Sequence, residues 1–410
     1  MQVQLAERQL IFALCAAQIL TMAGVFAFPA LLPTFVAEWG LSKTEAGWIA
    51  GLYFASYALA APPIMALTDR IDARLVLLAG ALTTAVAAFG FALLAEGFWS
   101  ALAFRLLAGA ALAATYLPGL RALVDRYKGE KRSRAISFYT SSFSLGTALS
   151  FLVAGETGAA FGWRATFGFC ALAALAATLV PLMLDSRRPQ RSGTSHLLDF
   201  RPVFANRKAL AFILGYGVHC WELFAMRSWL VAFLAFCIAL NGGGDFGLSP
   251  TTVATLGALV AMAASISGNE LCVRFGRVRV IVIVMIAAAA FAAVFGFASV
   301  LPYPLLVALA LVYSAVIQLD SAALTAGAIE AARPGQSGAT LAIHACVGFS
   351  GAGLGPLLLG VVLDATGSGA TPLSWGIAFA SSGVIGLLGP VALALARPSP
   401  PQNRRNSRSM

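Results

Sequence analysis

Three ionisable residues lie in the middle of one long apolar stretch, Ala209 to Ala239. They are His219, Glu222 and Arg227. At about 1.5 Å per residue in a helix, the stretch is long enough to cross a bilayer. A charge near the bilayer centre costs about 2.5–3.5 kcal/mol on insertion scales, so such residues persist where they face protein or a water-filled cavity. The stretch is therefore predicted to form one wall of a functional cavity.

Two further apolar stretches carry comparable groups. Gln318 and Asp320 lie in one of them and Arg105 in the other. Counted from the helix ends, Glu222 and Asp320 both lie roughly 20–25 Å below one face of the bilayer. Arg105 and Arg227 lie nearer that face, and we expect all of these groups to surround one cavity.

These residue types suggest specific roles. Arg105 and Arg227 are candidate anion ligands, because a guanidinium can donate two parallel hydrogen bonds to a carboxylate. Glu222 or Asp320 is the candidate proton carrier, since a poorly solvated carboxyl group can load and release a proton. His219, one helical turn from Glu222, could relay that proton. Alternatives remain open: structural ion pairs for Glu222 and Arg227, a packing role for His219, and an interfacial position for Arg105.

The composition indicates a membrane protein with many spans. Of 410 residues, 60% are hydrophobic and 11% are charged, against about 25% charged in soluble domains. Hydropathy predicts an all-α protein with twelve spans. These are 10–36, 46–67, 75–95, 99–124, 135–157, 163–184, 209–238, 250–272, 278–299, 304–328, 337–362 and 373–395. The six cysteines form no C-x-x-C pair, so neither a disulfide framework nor a metal site is predicted.

The basic residues predict the topology. Of the 27 lysines and arginines, 23 fall on the side of the N-terminus. The positive-inside rule then puts both termini in the cytoplasm of a plasma membrane, which we expect to be a bacterial inner membrane. This asymmetry also explains the net charge of +10 without any nucleic-acid partner.

The chain repeats itself. Ser42 and Ser249 each precede a predicted span, and Gly146 and Gly351 lie at matching places in two others, about 205 positions apart. Parallel six-helix repeats of this kind are known in transporters. The predicted domains are a six-helix bundle over 1–184, a linker over 185–207, a second bundle over 208–396 and a disordered basic tail over 397–410.

The loop after the second span carries the motif of a known family. Met65-Ala-Leu-Thr-Asp69-Arg70-Ile-Asp-Ala-Arg74 resembles the signature G-x-x-x-D-R-x-G-R-R of the major facilitator superfamily, although Met65 replaces its first glycine. A second copy keeps Arg274 and Arg277. Arg105 and Gly109 resemble the family's R-x-x-x-G motif, whose arginine is linked there to proton coupling.

The resemblance implies a latch on the cytoplasmic side. Asp69 would face the start of the eleventh span, and Arg70 and Arg74 would pair with Asp125. The resemblance further implies that spans one, four, seven and ten line a central cavity. The antiporter signature of the family is not present in the fifth span.

We therefore expect a secondary active transporter that works by rocker-switch alternating access, is coupled to protons by symport and moves a small solute, an organic anion such as a carboxylate. A drug or metabolite antiporter is the alternative, and a transport-dead sensor a remote one. An intramembrane enzyme is disfavoured because no H-E-x-x-H, G-x-S-x-G or P-loop occurs. No cofactor and no partner subunit are expected. The substrate, the direction of transport and the stoichiometry stay open.

Overall fold

A computed structural model describes residues 7–127, 129–187, 200–242 and 247–394. Within these ranges the regular elements are α-helices and one 3₁₀ helix, with no strand, so the predicted all-α class is confirmed. Among the described residues, ten helices are long and apolar enough to cross a membrane. The numbering of twelve spans used below follows the sequence prediction. Most of the predicted linker and the whole predicted tail lie outside the described residues.

The first half of the chain forms spans 1 to 6. Span 1 comprises α1 (Glu7–Thr21), α2 (Ala27–Ala30) and α3 (Leu32–Trp39); span 2 is α4 (Lys43–Thr68), span 3 is α5 (Ala73–Leu94) and span 4 is α6 (Phe98–Val124). Spans 5 and 6 are α7 (Gly129–Ala177) and α8 (Leu179–Met183). Within α7 the chain reverses at Gly162, whose φ is 79°. The reversal brings the hydroxyls of Thr157 and Thr166 to 2.9 Å from each other.

The second half forms spans 7 to 12. After the short α9 (Arg201–Phe204), span 7 is α10 (Arg207–Leu240), span 8 is α11 (Pro250–Phe275) and span 9 is α12 (Arg277–Phe295) with the 3₁₀ helix η1 (Gly296–Val300). Span 10 is α13 (Tyr303–Gln318) with α14 (Ser321–Ala331), span 11 is α15 (Ser337–Ala365), and span 12 is α16 (Pro372–Gly386) with α17 (Leu388–Ala394).

Two predicted helix starts are confirmed by their caps. Ser42 and Glu45 form the capping box at the start of span 2, each side chain accepting a hydrogen bond from the other's backbone N–H. Ser249 accepts from the N–H of Thr252 at the start of span 8, and Pro250 occupies the first helical position, where its missing N–H costs nothing.

Spans 1 and 10 are interrupted where the sequence predicted continuous helices. Span 1 loses regular helix between Thr21 and Ala27, and span 10 between Gln318 and Ser321. Both interruptions lie inside the protein, and side chains of neighbouring helices bind the freed backbone groups of span 1. Hydropathy averaged over a span could not detect the interruptions because the two segments of each span are apolar overall.

Glycines of span 11 allow it to pack closely against both halves. A Cβ on Gly351 or Gly355 would lie 2.1 or 2.2 Å from carbonyl oxygens of span 7. On the other side, a Cβ on Gly360 would lie 2.2 Å from the carbonyl oxygen of Lys43 in span 2. Small residues on a helix face allow this close approach of neighbouring helices.

The two halves meet at one side of the molecule and part toward the other. We call the side where span 2 ends and span 7 begins the linker side. On the opposite side, one cluster of buried apolar residues includes Phe26 and Phe54 of the first half and Phe224 of the second. On the linker side, each half has a cluster of its own, around Leu77 in the first half and Ile281 in the second.

Candidate functional site

The ionisable residues lie in three separate places rather than around the single cavity predicted from the sequence. Arg105 lies inside the first half, beside a small cavity lined by spans 1, 2, 3, 4 and 6. His219, Glu222 and Asp320 lie inside the second half, beside a cavity lined by spans 7, 9, 10 and 12. Only Arg227, with Phe224 one turn before it, adjoins the contact between the halves. In this conformation the groups of the two halves adjoin separate described cavities.

Arg105 stabilises the backbone where the helix of span 1 is interrupted. Its two Nη atoms donate to the carbonyl oxygens of Gly24 and Val25, at 3.2 and 3.0 Å. The guanidinium also lies 4.0 Å above the centre of the Tyr53 ring. Ser150 of span 5 completes the arrangement, because its hydroxyl donates to Ala23 and accepts from the N–H of Phe26. The contacts of Arg105 in this structure are therefore those of a backbone-supporting residue.

His219 and Asp320 form a buried pair across spans 7 and 10. His219 Nδ1 lies 2.7 Å from Asp320 Oδ1, and both side chains are almost completely buried. The contact is not aligned as a hydrogen bond, and Asp320 Oδ1 has no hydrogen-bond partner among the described residues. The other ring nitrogen, His219 Nε2, has none there either. Asp320 also precedes α14, where the helix dipole favours a carboxylate.

Close packing accommodates the interruption of span 10. A Cβ on Gly268 of span 8 would lie 1.8 Å from the carbonyl oxygen of Leu319, so only glycine lets this backbone approach. Discontinuous helices of this kind hold coupling ions and substrates in transporters. Gln318 ends the first segment and Asp320 precedes the second.

Glu222 lies one turn from His219 on span 7. Its Oε1 accepts a 2.9 Å hydrogen bond from the hydroxyl of Tyr313. The adjoining cavity has a volume of about 10 Å³, room for about one water molecule. Glu222, His219 and Asp320 all line it. The site thus joins two carboxyl groups and one imidazole around a space that can hold water.

Aromatic rings continue from the pair toward span 11. His344 of span 11 stacks on Tyr216 at 3.9 Å, and Tyr216 stacks on His219 at 5.6 Å. His344 Nε2 shares a 3.0 Å hydrogen bond with the hydroxyl of Thr325. A stack of rings therefore runs from span 11 to the buried His219.

Arg227 has a neutral partner. Its Nη2 donates to Gln318 Oε1 at 3.3 Å, and its side chain is 9% exposed. Among the residues that the structure describes, it makes no ion pair with a carboxylate. Its guanidinium carbon lies 6.0 Å from the centre of the Phe224 ring. Within the described part of the chain, Arg227 and Glu222 form no ion pair with each other, since five residues along a helix place them about 140° apart.

Aromatic rings from both halves meet beside Arg227. Phe224 lies 4.4 Å from Phe54, and Phe349 of span 11 lies 4.0 Å from Tyr57 of span 2. Phe224 and Phe349 are themselves 6.2 Å apart. These rings belong to the shared apolar cluster or pack against it, so they lie where the halves touch.

The residues predicted to form a latch make their contacts within one half in this conformation. Asp69 pairs with Arg121, not with span 11, and Asp125 pairs with Arg121, not with Arg70 or Arg74. Arg121 lies four residues before Asp125 on the same helix, which places it closer than either loop arginine.

The remaining motif residues also stay within their half. Arg74 pairs with Asp72 and donates to the carbonyl of Leu184. In the second copy, Arg277 binds Glu330 and the carbonyl of Ala323, while Arg274 lies over the ring of Phe275.

A contact that the sequence did not reveal closes the opposite side. The carboxylate of Asp364, at the end of span 11, accepts hydrogen bonds from the backbone N–H groups of Lys43 and Thr44, at 3.1 and 2.7 Å. It thereby caps span 2 of the other half, where the helix dipole favours a negative charge. At the start of span 8, a Cβ on Gly155 of span 5 would lie 2.2 Å from the hydroxyl of Thr251.

Comparison with known proteins gives the family. The model of the Major Facilitator Superfamily matches residues 14–244 and 243–410. The chain belongs to the Major Facilitator Superfamily. This membership confirms the resemblance seen in the motif and makes the protein a membrane transporter of small solutes by family.

Individual members of the superfamily are more distant. A Streptomyces coelicolor protein named as a probable transporter is 25% identical over 396 residues, covering 94% of this chain and 86% of that protein. The niacin transporter NiaP of Acinetobacter baylyi is 34% identical over 149 residues, which is 35% of this chain and 32% of that protein.

Solved structures show the same fold. A bacterial homologue of the human lysosomal transporter Spinster, in an inward-facing and occupied conformation, superposes with a TM-score of 0.74 at 17% identity, covering 94% of this chain and 95% of that one. The inward-facing and unoccupied conformation gives a TM-score of 0.76.

Proposed function

We propose that this member of the superfamily is a proton-coupled transporter of a small organic anion such as a carboxylate. The observation that carries the proposal is Arg227, a buried cation that adjoins the contact between the halves and has only a neutral amide as its described hydrogen-bond partner. A buried charge without a counter-charge is costly, so an anionic substrate would compensate it.

The pair of Asp320 and His219 supplies the proton site. Both groups are buried, and each has an atom without an aligned hydrogen bond at a cavity that can hold water. Span 10 links this pair to the anion site, because Gln318, the partner of Arg227, lies two residues before Asp320 across the interruption. A movement of the backbone at this interruption would therefore change both the anion site and the proton site. Coupling of transport to protons requires such a link between the two sites.

The structure corresponds to one state of an alternating-access cycle. The halves share a packed cluster on the opposite side and have separate clusters on the linker side. We place the linker side in the cytoplasm on the basis of its positive charge, so the side on which the halves share a packed cluster is the outer one. We assign the two bundles to 1–184 and 208–396, the termini to the cytoplasm, and the protein to a bacterial inner membrane as a monomer.

The relatives agree with this proposal to a limited extent. Niacin, named for one of them, is a small carboxylic acid, although that match covers only a third of each chain. The aromatic rings near Arg227 favour the alternative, proton antiport of an apolar drug or metabolite, because such sites combine rings with a lone acid.

Transport by purified protein in liposomes tests the two functions. Radiolabelled organic acids are offered with the outside more acidic than the inside, with and without a protonophore. Symport predicts accumulation that the protonophore abolishes. Stimulation of uptake by the reverse gradient would indicate antiport, and the absence of carrier-dependent flux for every acid would contradict the proposal.

A further inference from the structure

Four aromatic residues lie where the shared cluster divides into the two separate ones. Tyr116 of span 4 packs against both the shared cluster and the cluster of the first half. Tyr216 of span 7 packs against both the shared cluster and the cluster of the second half. Phe349 joins them as a partly buried ring, in contact with Tyr57 of the other half at 4.0 Å. We call these four residues the apex aromatics.

The apex aromatics come from both halves. Across the boundary, the rings of Tyr57 and Phe349 lie 4.0 Å apart, centre to centre. Each half also supports its own ring: Tyr116 stacks on Tyr139 at 5.7 Å, and Tyr216 stacks on His344 at 3.9 Å. The rings are therefore held in fixed orientations.

Arg227 adjoins the same place. Its guanidinium carbon lies 6.0 Å from the centre of the Phe224 ring, and that ring lies 6.2 Å from the Phe349 ring. The positive charge of Arg227 thus lies beside a group of aromatic rings. An aliphatic anion would need the cation but would gain nothing particular from oriented rings, whereas an aromatic ring gains from stacked or edge-to-face contacts.

We propose that the substrate is a planar aromatic carboxylate, whose ring packs among the apex aromatics while its carboxylate binds Arg227. This inference rests on the proposed function and narrows its substrate class. Because the four residues divide between the halves, the ring would contact both of them and would be released when they separate.

Matched pairs of acids test the preference for an aromatic ring. Benzoate and cyclohexanecarboxylate carry the same charge on rings of similar size, and 4-hydroxybenzoate and 4-hydroxycyclohexanecarboxylate form a second pair. Equilibrium binding to the purified full-length protein is measured by competition. The aromatic member of each pair should bind roughly two- to twelvefold more tightly, the range expected of one favourable ring contact.

Variants locate the preference. Phe349→Leu and Tyr57→Leu should each reduce the ratio between the members of a pair toward one, while Phe89→Leu, on an outward-facing and 57% exposed ring of span 3, should leave it unchanged. Using two variants keeps the test valid if one fails to fold.

The outcomes separate this inference from the proposed function. Equal binding of both members, or binding of aliphatic acids alone, would overturn the aromatic assignment and leave anion transport intact. If no acid binds, both proposals fail. A ratio that persists in both leucine variants would also contradict the assigned position of the ring.

Discussion

Asp364 accepts a 2.7 Å hydrogen bond from the backbone N–H of Thr44, a residue 320 positions earlier in the chain and in the other half of the molecule. The same carboxylate accepts from Lys43, so one side chain of span 11 caps the first turn of span 2. The bond exists only while the opposite side is closed. It therefore stabilises one conformation of the transporter.

Removing the charge of Asp364 should loosen this closure. A charged cap at a helix N-terminus contributes up to about 2 kcal/mol, and about 1.4 kcal/mol corresponds to a tenfold change in population. Asp364→Asn should raise the fraction of molecules that are open on the side opposite the linker by about tenfold. Distances between spin labels at positions 96 and 370 report that fraction. The control is Glu38→Gln, since Glu38 binds Trp163 within one half. Equal distance distributions in both variants would refute the role of Asp364.

Gly51 should be intolerant of a side chain for the same reason. Its Cβ would lie 2.1 Å from the carbonyl oxygen of Gly353, a backbone atom of the other half that cannot turn away. Gly51→Ala should hinder closure of the opposite side and reduce the rate of transport at least severalfold, with a normal amount of folded protein. Gly168→Ala, where nothing lies within 4 Å, is the control. Transport at the parental rate in Gly51→Ala would show that this contact is not needed.

Arg105 should contribute to stability more than to substrate binding. A hydrogen bond to a charged group contributes about 1.5–3 kcal/mol, and Arg105→Ala removes two of them and leaves buried carbonyls unpaired. We expect a melting temperature lower by several degrees, with little change in the substrate affinity of the folded fraction. Arg164→Ala, which removes one bond to Ala92 from an exposed arginine, should change much less. If Arg105→Ala is as stable as the parent but no longer binds substrate, Arg105 is a substrate ligand instead.

Asp320 should carry the pH dependence. An asparagine cannot take up a proton, so Asp320→Asn should abolish uptake driven by a pH gradient while preserving exchange of labelled for unlabelled substrate. Glu222→Gln is the comparison, because Glu222 already accepts a bond from Tyr313 and should keep most of the pH response. If the two variants behave in the opposite way, Glu222 is the proton carrier.

Much of the architecture was predictable because hydropathy and capping act locally. The apolar runs give the spans, and Ser42 with Glu45 marks a helix start whatever the tertiary structure. The interruptions at Gly24 and Leu319 were not predictable, since they depend on Arg105 of another span and on the close approach of Gly268. The sequence shows neither contact.

The candidate site was predictable in its residues but not in its arrangement. Depth from the helix ends correctly grouped Glu222 with Asp320, and both line one cavity. It could not show that Arg105 turns into its own half, because direction depends on how neighbouring helices pack. Asp364 was missed although an acid after an apolar span is a visible signal; its partner is an N-terminus more than 300 residues away.

The most direct measurement concerns Arg227. Equilibrium binding of a radiolabelled carboxylate substrate is compared between the parent, Arg227→Gln and Arg227→Lys, with Arg164→Gln as the control arginine. Loss of a buried charge partner costs about 2–5 kcal/mol, so Arg227→Gln should weaken binding at least thirtyfold. Arg227→Lys should retain part of the affinity, because lysine keeps the positive charge but cannot form the two parallel hydrogen bonds of a guanidinium. Unchanged affinity in Arg227→Gln would place the anion elsewhere and contradict the proposed transport of organic anions at this site.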